Sequence, residues 1–162
     1  RHTDGIIFDL RDSFGFLGPE HLDLVFPTRK TSDAFQNMNN FKNSSRSTSL
    51  EPEIRPYRKP IALLLNEGTR GGPELFAHEL DKLERVVSIG ESTKGIIGSF
   101  NFRGNTNDSD IDYTSGMGLH IDEQSFEGLG VEPERIILYP YENTTRGDPQ
   151  FEAAINILLG II

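Results

Sequence analysis

The 162-residue chain is long enough for one domain with a real hydrophobic core, and at 35% hydrophobic residues it is too apolar for wholesale disorder. A net charge of −9 argues against a dominant nucleic-acid or anionic-membrane surface, because phosphate binding rests on clustered Lys and Arg. The absence of cysteine removes disulfides, thiolate metal sites and cysteine nucleophiles, and no apolar run approaches the ~20 residues of a membrane span.

The chain starts at Arg1 and enters a strand almost at once, so it reads as a trimmed domain or a processed piece of something longer. Residues 5–10, GIIFDL, suit a buried strand. After a turn holding Gly15, Gly18-Pro19 opens a helix with Leu22, Val25 and Phe26 on one face. Residues 28–59 are polar, rich in Asn and Ser and weakly periodic, and read as an extended insertion within a single domain spanning 1–162. Residues 61–65, IALLL, form a second buried strand, followed by the turn NEGTRGG and a helix begun by Pro73. Phe76, Ala77, Leu80 and Leu83 give that helix a core-facing stripe.

RVVSI at 85–89 is a third strand, and 96–103 and 118–121 suggest others, separated by the polar loop GNTNDSD. A further strand is expected at 136–138. In the last helix Asp148 caps, Pro149 begins, and Phe151, Ala154, Ile155, Leu158 and Leu159 line one face. Strands alternating with helices predict an α/β domain with a largely parallel sheet.

Most of the obvious chemistries find no support. His2, His21, His78 and His120 show no ligand spacing, and Lys82 breaks an HExxH reading of His78-Glu79, so no metal or other cofactor is expected. GTRGGPE lacks the ending of a phosphate-binding loop. Asp122 and Glu123 read as a solvated loop, and the sequons at Asn43, Asn107 and Asn143 are short enough to arise by chance.

Three segments stand out together: DGIIFDLRDSFGFLGPEHLD; KPIALLLNEGTRGGPELFAHELDKLERVVSIGESTKG; and FEGLGVEPERI followed by DPQFEAAINIL. Their order and spacing resemble the peptidase core of the carboxyl-terminal processing and tricorn-type serine peptidases, with the tricorn-like branch the closer fit. The resemblance covers most of the chain outside 28–59. It implies a crotonase/ClpP-like α/β core with a mainly parallel sheet flanked by helices, and peptide or protein partners, not nucleic acid. It also favours an extracytoplasmic setting.

The resemblance also implies roles for particular residues. The family's nucleophilic serine precedes by three residues a Glu that opens the next helix. Glu74 matches that Glu, so the nucleophile position falls on Gly71. Backbone amides of Gly72 and Gly15 would form the oxyanion hole, a function that needs no side chain. The lysine of the Ser-Lys branch would fall at Ile96, with Lys94 two residues earlier, a shift of about 6.6 Å along a strand. In the tricorn-type branch Glu127 matches a polar helper glutamate, while the histidine and its companion serine would lie upstream of Arg1. Thr69, Ser13, Ser88 and Ser92 stand off the turn and do not replace the serine.

Three functions remain open on this reading. The first is a serine peptidase core, inactive as written because covalent catalysis needs a nucleophile. The second is a non-catalytic module binding an extended peptide or an apolar ligand, as the interphotoreceptor retinoid-binding proteins look like non-proteolytic relatives. The third is a crotonase-like acyl-transfer enzyme or isomerase using Glu127 as its carboxylate.

Overall fold

The computed structural model describes residues 3–15, 19–22, 24–25, 56–96, 100–106, 109–115, 120–121, 124–125, 128–141 and 147–160. The expected insertion therefore lies almost wholly outside the described residues, as do Phe26 and Glu127.

A four-stranded parallel sheet carries the domain, in the order β1 (Ile6–Asp9), β3 (Ile61–Leu65), β5 (Val86–Gly90) and β10 (Arg135–Ile136). The pairing is in register from Ile6 against Ile61 and from Ile61 against Val86. β3 is buried along its whole length because it lies between two parallel partners with a helix packed on each face. Its side chains alternate: Ile61, Leu63 and Leu65 join Leu75, Phe76, Ala77 and Leu80 of helix α2 (Gly72–Asp81), while Ala62 and Leu64 meet Ala154 of helix α3 (Pro149–Leu158). Phe8 of β1 meets Phe76 edge-on, with ring centroids 5.5 Å apart. The result is a mainly parallel sheet flanked by helices, as expected.

Several expectations are corrected. Residues 5–10 do not make a buried strand: β1 is an outer strand and only half-buried. The first helix shortens to a single turn, α1 (Pro19–Leu22), although Leu22 and Val25 do reach the core. Leu83 lies beyond the end of α2, yet packs against the same cluster. The stripe predicted for α3 holds at Ala154 and Leu158 and fails at Phe151, Ile155 and Leu159, which are exposed. The packed face instead runs through Gln150, Ala153, Ala154, Ile157 and Leu158, a regular helical repeat that begins on a polar residue. The strand expected at 136–138 is β10, two residues long, with Leu138 exposed.

The described residues of the polar stretch GNTNDSD, 104–106 and 109–110, lie in strands and not in a loop. They belong to a hairpin of β6 (Phe100–Thr106) and β7 (Ser109–Ser115), paired from Phe100 against Ser115 to Thr106 against Ser109. Phe100 and Phe102 in β6 and Ile111 and Tyr113 in β7 alternate with polar residues, but Gly104–Thr106 and Ser109–Asp110 do not, so that end reads as a loop from sequence. Two short pairs complete the described structure. One is β8 (His120–Ile121) with β9 (Gln124–Ser125), antiparallel; the other is β2 (Phe14–Gly15) with β4 (Arg70–Gly71), parallel.

Candidate functional site: a strand-to-helix elbow stitched to a neighbouring turn

Two turns leave the carboxyl ends of adjacent parallel strands, one from β1 into β2 and one from β3 into β4. Asn66, at the end of β3, binds them together. Its Oδ1 accepts from the amides of Asp12 (2.9 Å) and Gly68 (3.0 Å), and its Nδ2 donates to Asp12 Oδ1 (3.1 Å). Thr69 adds a second stitch: its hydroxyl donates to Leu10 O (2.9 Å) and accepts from Asn66 N (3.1 Å). The Arg70 amide then reaches Ser13 O at 2.9 Å. With the turns locked, the β2–β4 pair sets Gly15 opposite Gly71. The two glycines picked out by different segments of the sequence are thus brought side by side.

Gly71 is the residue at which β4 becomes α2. Its backbone stands at φ 70° and ψ −127°, a conformation costly for any residue with a side chain. A Cβ placed there would lie 3.0 Å from Gly15 O, close enough that the neighbouring turn must yield slightly. Gly72 is the first residue of α2, so no helical carbonyl can take its N–H. Gly15 is half-buried, and nothing stands within 4 Å of where its side chain would be. The elbow is therefore open on the Gly15 side.

Glu74 holds this geometry. It is fully buried at the start of α2, where the helix amides favour a carboxylate. One oxygen accepts from Gly71 N (3.0 Å) and Ile96 N (2.9 Å), the other from Thr93 Oγ1 (2.6 Å) and from the amide of Gly95. Four donors satisfy a group that can only accept. Thr93 Oγ1 in turn accepts from Val131 N at 2.8 Å, and Gly128 N donates to Gly95 O at 2.7 Å. Gly95 cannot be larger, since a Cβ would lie 2.7 Å from the amides of Leu129 and Gly130.

The segment bearing Lys94 is not a strand: β5 ends at Gly90 and 91–96 is irregular. The strand spacing expected between Lys94 and position 96 therefore does not apply. What Ile96 turns toward Gly71 is its carbonyl, which accepts the Gly71 amide at 3.0 Å. Lys94 is exposed. The Ser13, Thr69 and Ser88 hydroxyls are occupied by Leu10 O, Leu10 O and Asp81 respectively.

Sequence reasoning used Glu74 only as a landmark and missed Asp12, Asn66 and Thr93. A Glu three residues beyond a helix entry and an Asn-x-x-Thr turn after a strand both have local hydrogen-bonding logic. The partners on 93–96 and on the β1 turn are visible only in three dimensions.

Beside the elbow lies a cleft of about 280 Å³ lined by Asp9, Arg11, Asp12, Asn66, Tyr139 and Tyr141. Arg11 organises it. Its guanidinium pairs with both oxygens of Asp9 (2.9 and 2.7 Å), with Asp148 (2.8 Å) and with Gln150 Oε1 (3.0 Å), and lies 5.6 Å over the Tyr139 ring. The hydrogen bond from Arg11 lowers the pKa of Asp9. For Asp148, burial works the other way, but Arg11 and the Phe151 amide outweigh it and the pKa is again lowered. Asp148 also caps α3 by accepting from Phe151 N at 3.0 Å. This explains why a DLR turn and a DPQ helix entry occur in one chain: each supplies half of an ion-pair cluster. Among the described residues, no three His, Asp or Glu side chains stand close enough to hold a metal ion.

Comparison with known proteins bears on the family and the fold. Residues 1–137 match the model of peptidase family S41. The carboxyl-terminal-processing protease of Synechocystis sp. (strain ATCC 27184 / PCC 6803 / Kazusa) is 26% identical over 172 aligned positions, covering 98% of this chain and 38% of its own length. The tricorn protease superposes with a TM-score of 0.70 at 22% identity, over 97% of this chain and 15% of its own. The photosystem II D1 C-terminal processing protease gives 0.56 at 19% identity, over 83% of this chain and 34% of its own. The two structures share the fold, and the chain spans well under half the length of each of these three proteins. On the match across 1–137, this chain belongs to peptidase family S41.

Proposed function

We propose that this chain is the core of a serine-type peptidase in which glycine stands at the nucleophile position, so that the elbow remains while its attacking oxygen is missing. One observation carries the reading. Gly71 holds a left-handed backbone, open to glycine but costly for any side chain, at a strand-to-helix junction, in register with Gly15, and four hydrogen bonds to a buried Glu74 maintain that junction. A nucleophile elbow uses such strain to push a side chain out above the sheet.

In acyl transfer, a hydroxyl at position 71 would attack a peptide carbonyl, and the amides of Gly72 and Gly15 would meet the developing oxyanion. The Gly71 amide itself is not available, being held between Glu74 and Ile96 O. Glu127 is proposed as a polar helper; the residue after it, Gly128, is tied to Gly95 O. Without the hydroxyl no acyl-enzyme forms, and only the small residual effect of oxyanion stabilisation is left. The substrate class proposed is a peptide or protein chain.

The test is fluorophosphonate labelling and peptide hydrolysis, for the native protein and for Gly71→Ser, together with whatever sequence precedes Arg1. The native protein is expected to be inert. Gly71→Ser is expected to gain labelling at position 71, at a stability cost of about 1–2 kcal/mol from the left-handed backbone. Serine-inhibitor-sensitive turnover by the native protein would overturn the reading. A second reading, a peptide-binding module on the same fold, is favoured by the cleft beside the elbow. It expects saturable binding and no turnover even in Gly71→Ser.

A further inference from the structure

The cleft beside the elbow opens at the carboxyl ends of β1 and β3, the edge at which parallel sheets gather their ligands. Asp12 and Asn66 belong both to its wall and to the stitched turns that set Gly15 against Gly71. Whatever occupies the cleft therefore lies next to whatever crosses the elbow.

The lining selects among ligands. Arg11 is already neutralised by Asp9 and Asp148, and its guanidinium covers the Tyr139 ring, so an anion gains little from it. Tyr141 is 61% exposed, meets Tyr139 edge-on at 5.2 Å, and hydrogen-bonds Glu91 at 3.3 Å. Among the described residues around the cleft, the carboxylates of Asp9, Asp12, Glu91 and Asp148 outnumber the cation of Arg11. These carboxylates do not converge into a metal site. The site instead offers an aromatic surface, dispersed negative charge and about 280 Å³ of space. That combination suits a large, weakly hydrated cation carried on an apolar stem.

We propose that this cleft is a subsite for a basic side chain, arginine or lysine, of a peptide whose backbone crosses Gly71. The proposal takes the peptide from the peptidase-core reading, but it does not depend on turnover. Asp12 lies in the turn that leads into Gly15, so the basic side chain belongs to a residue close to the bond held over Gly71. The overall charge of −9 draws such peptides in at low ionic strength.

Because Gly71 prevents turnover, binding can be read directly on the native protein. N-acetyl-arginine amide and its uncharged isostere N-acetyl-citrulline amide are titrated into isotope-labelled protein. Tyrosine emission is followed in parallel, unmasked because the chain has no tryptophan. The arginine probe is expected to bind at least about fivefold more tightly, the size of one charge pair near a wet surface, and to lose that margin as salt is raised. Amide shifts are expected at Asn66, Gly68 and Tyr141. Asp12→Asn keeps an acceptor for Asn66 and tolerates the same backbone, so it removes charge alone and is expected to erase most of the preference. Tyr141→Leu is expected to weaken both probes. Equal binding of the two probes, or a preference that survives both variants, overturns the subsite. Fluorophosphonate labelling of Gly71→Ser with no preference for basic residues overturns the subsite alone. A basic preference with no labelling of that variant supports the subsite and overturns the peptidase reading.

Discussion

Glu74 is a buried carboxylate that accepts from three backbone amides and the Thr93 hydroxyl, so its worth lies in satisfying donors that the elbow would otherwise strand. A neutral glutamine has nearly the same shape but turns an NH2 toward donors. Turned either way it would leave one amide, of Gly95 or of Ile96, without its acceptor, since Gly71 N also reaches Ile96 O and the Thr93 hydroxyl can accept. Glu74→Gln is therefore expected to cost about 2–4 kcal/mol in urea unfolding, with faster amide exchange concentrated at Gly71, Gly95 and Ile96. A loss within experimental error, or exchange spread evenly over the domain, would mean the elbow does not depend on this residue. The spacing from Gly71 to Glu74 was legible in the sequence because it is local. The donors at Thr93, Gly95 and Ile96 were not, because an irregular segment some twenty residues away carries no pattern that announces its partner.

At the scale of elements, α3 is held to the sheet in two ways: by Ala154, Ile157 and Leu158 against Ala62, Leu64 and Ile89, and by the Arg11 cluster at its first turn. The second attachment depends on pH. Asp9 and Asp148 both have folded-state pKa values below their ordinary value of 3.8, Asp9 chiefly through its hydrogen bond from Arg11. Groups depressed in this way contribute their full stability above the unfolded value and lose it as the pH falls through the folded one. The loss is thus expected below about pH 4, with α3 loosening first. In Arg11→Gln the two carboxylates return toward ordinary behaviour, so the drop in urea midpoint from pH 6 to pH 3 should shrink. An unchanged drop would place the acid sensitivity elsewhere. The polar Gln150 at the head of the packed face also explains why the α3 stripe was misread: apolar periodicity alone picked the rotation that includes Phe151 and Ile155, which are exposed.

For the molecule as a whole, what was legible depended on how each strand is buried. β3 lies between two strands and two helices, so its composition is uniformly apolar and its place in a parallel sheet could be read at once. The outer strands β1 and β10 carry mixed signals, and in the hairpin of β6 and β7 the alternation of Phe100 and Phe102 with Asn101 and Arg103 marks the first strand, while its polar far end, Gly104–Thr106 against Ser109–Asp110, reads as a loop. That Gly15 and Gly71 belong to one site was implied by the family resemblance and not by any local feature; their pairing appears only in the structure. The same gradient of burial predicts a gradient of stability. Leu63 is 0% exposed and packs in the cluster under α2, whereas Leu138 is 70% exposed just beyond β10. Truncating the first leaves a cavity that close-packed neighbours cannot collapse into; truncating the second removes atoms that already face water. Leu63→Ala is expected to cost about 2–5 kcal/mol, and Leu138→Ala to stay within about 0.5 kcal/mol of the native protein, both measured by urea unfolding at neutral pH. Comparable losses from the two substitutions would mean that the exposed edge after β10 is covered in solution, and the stability of the domain would then have to be assigned to that covered assembly rather than to the sheet and its two helices.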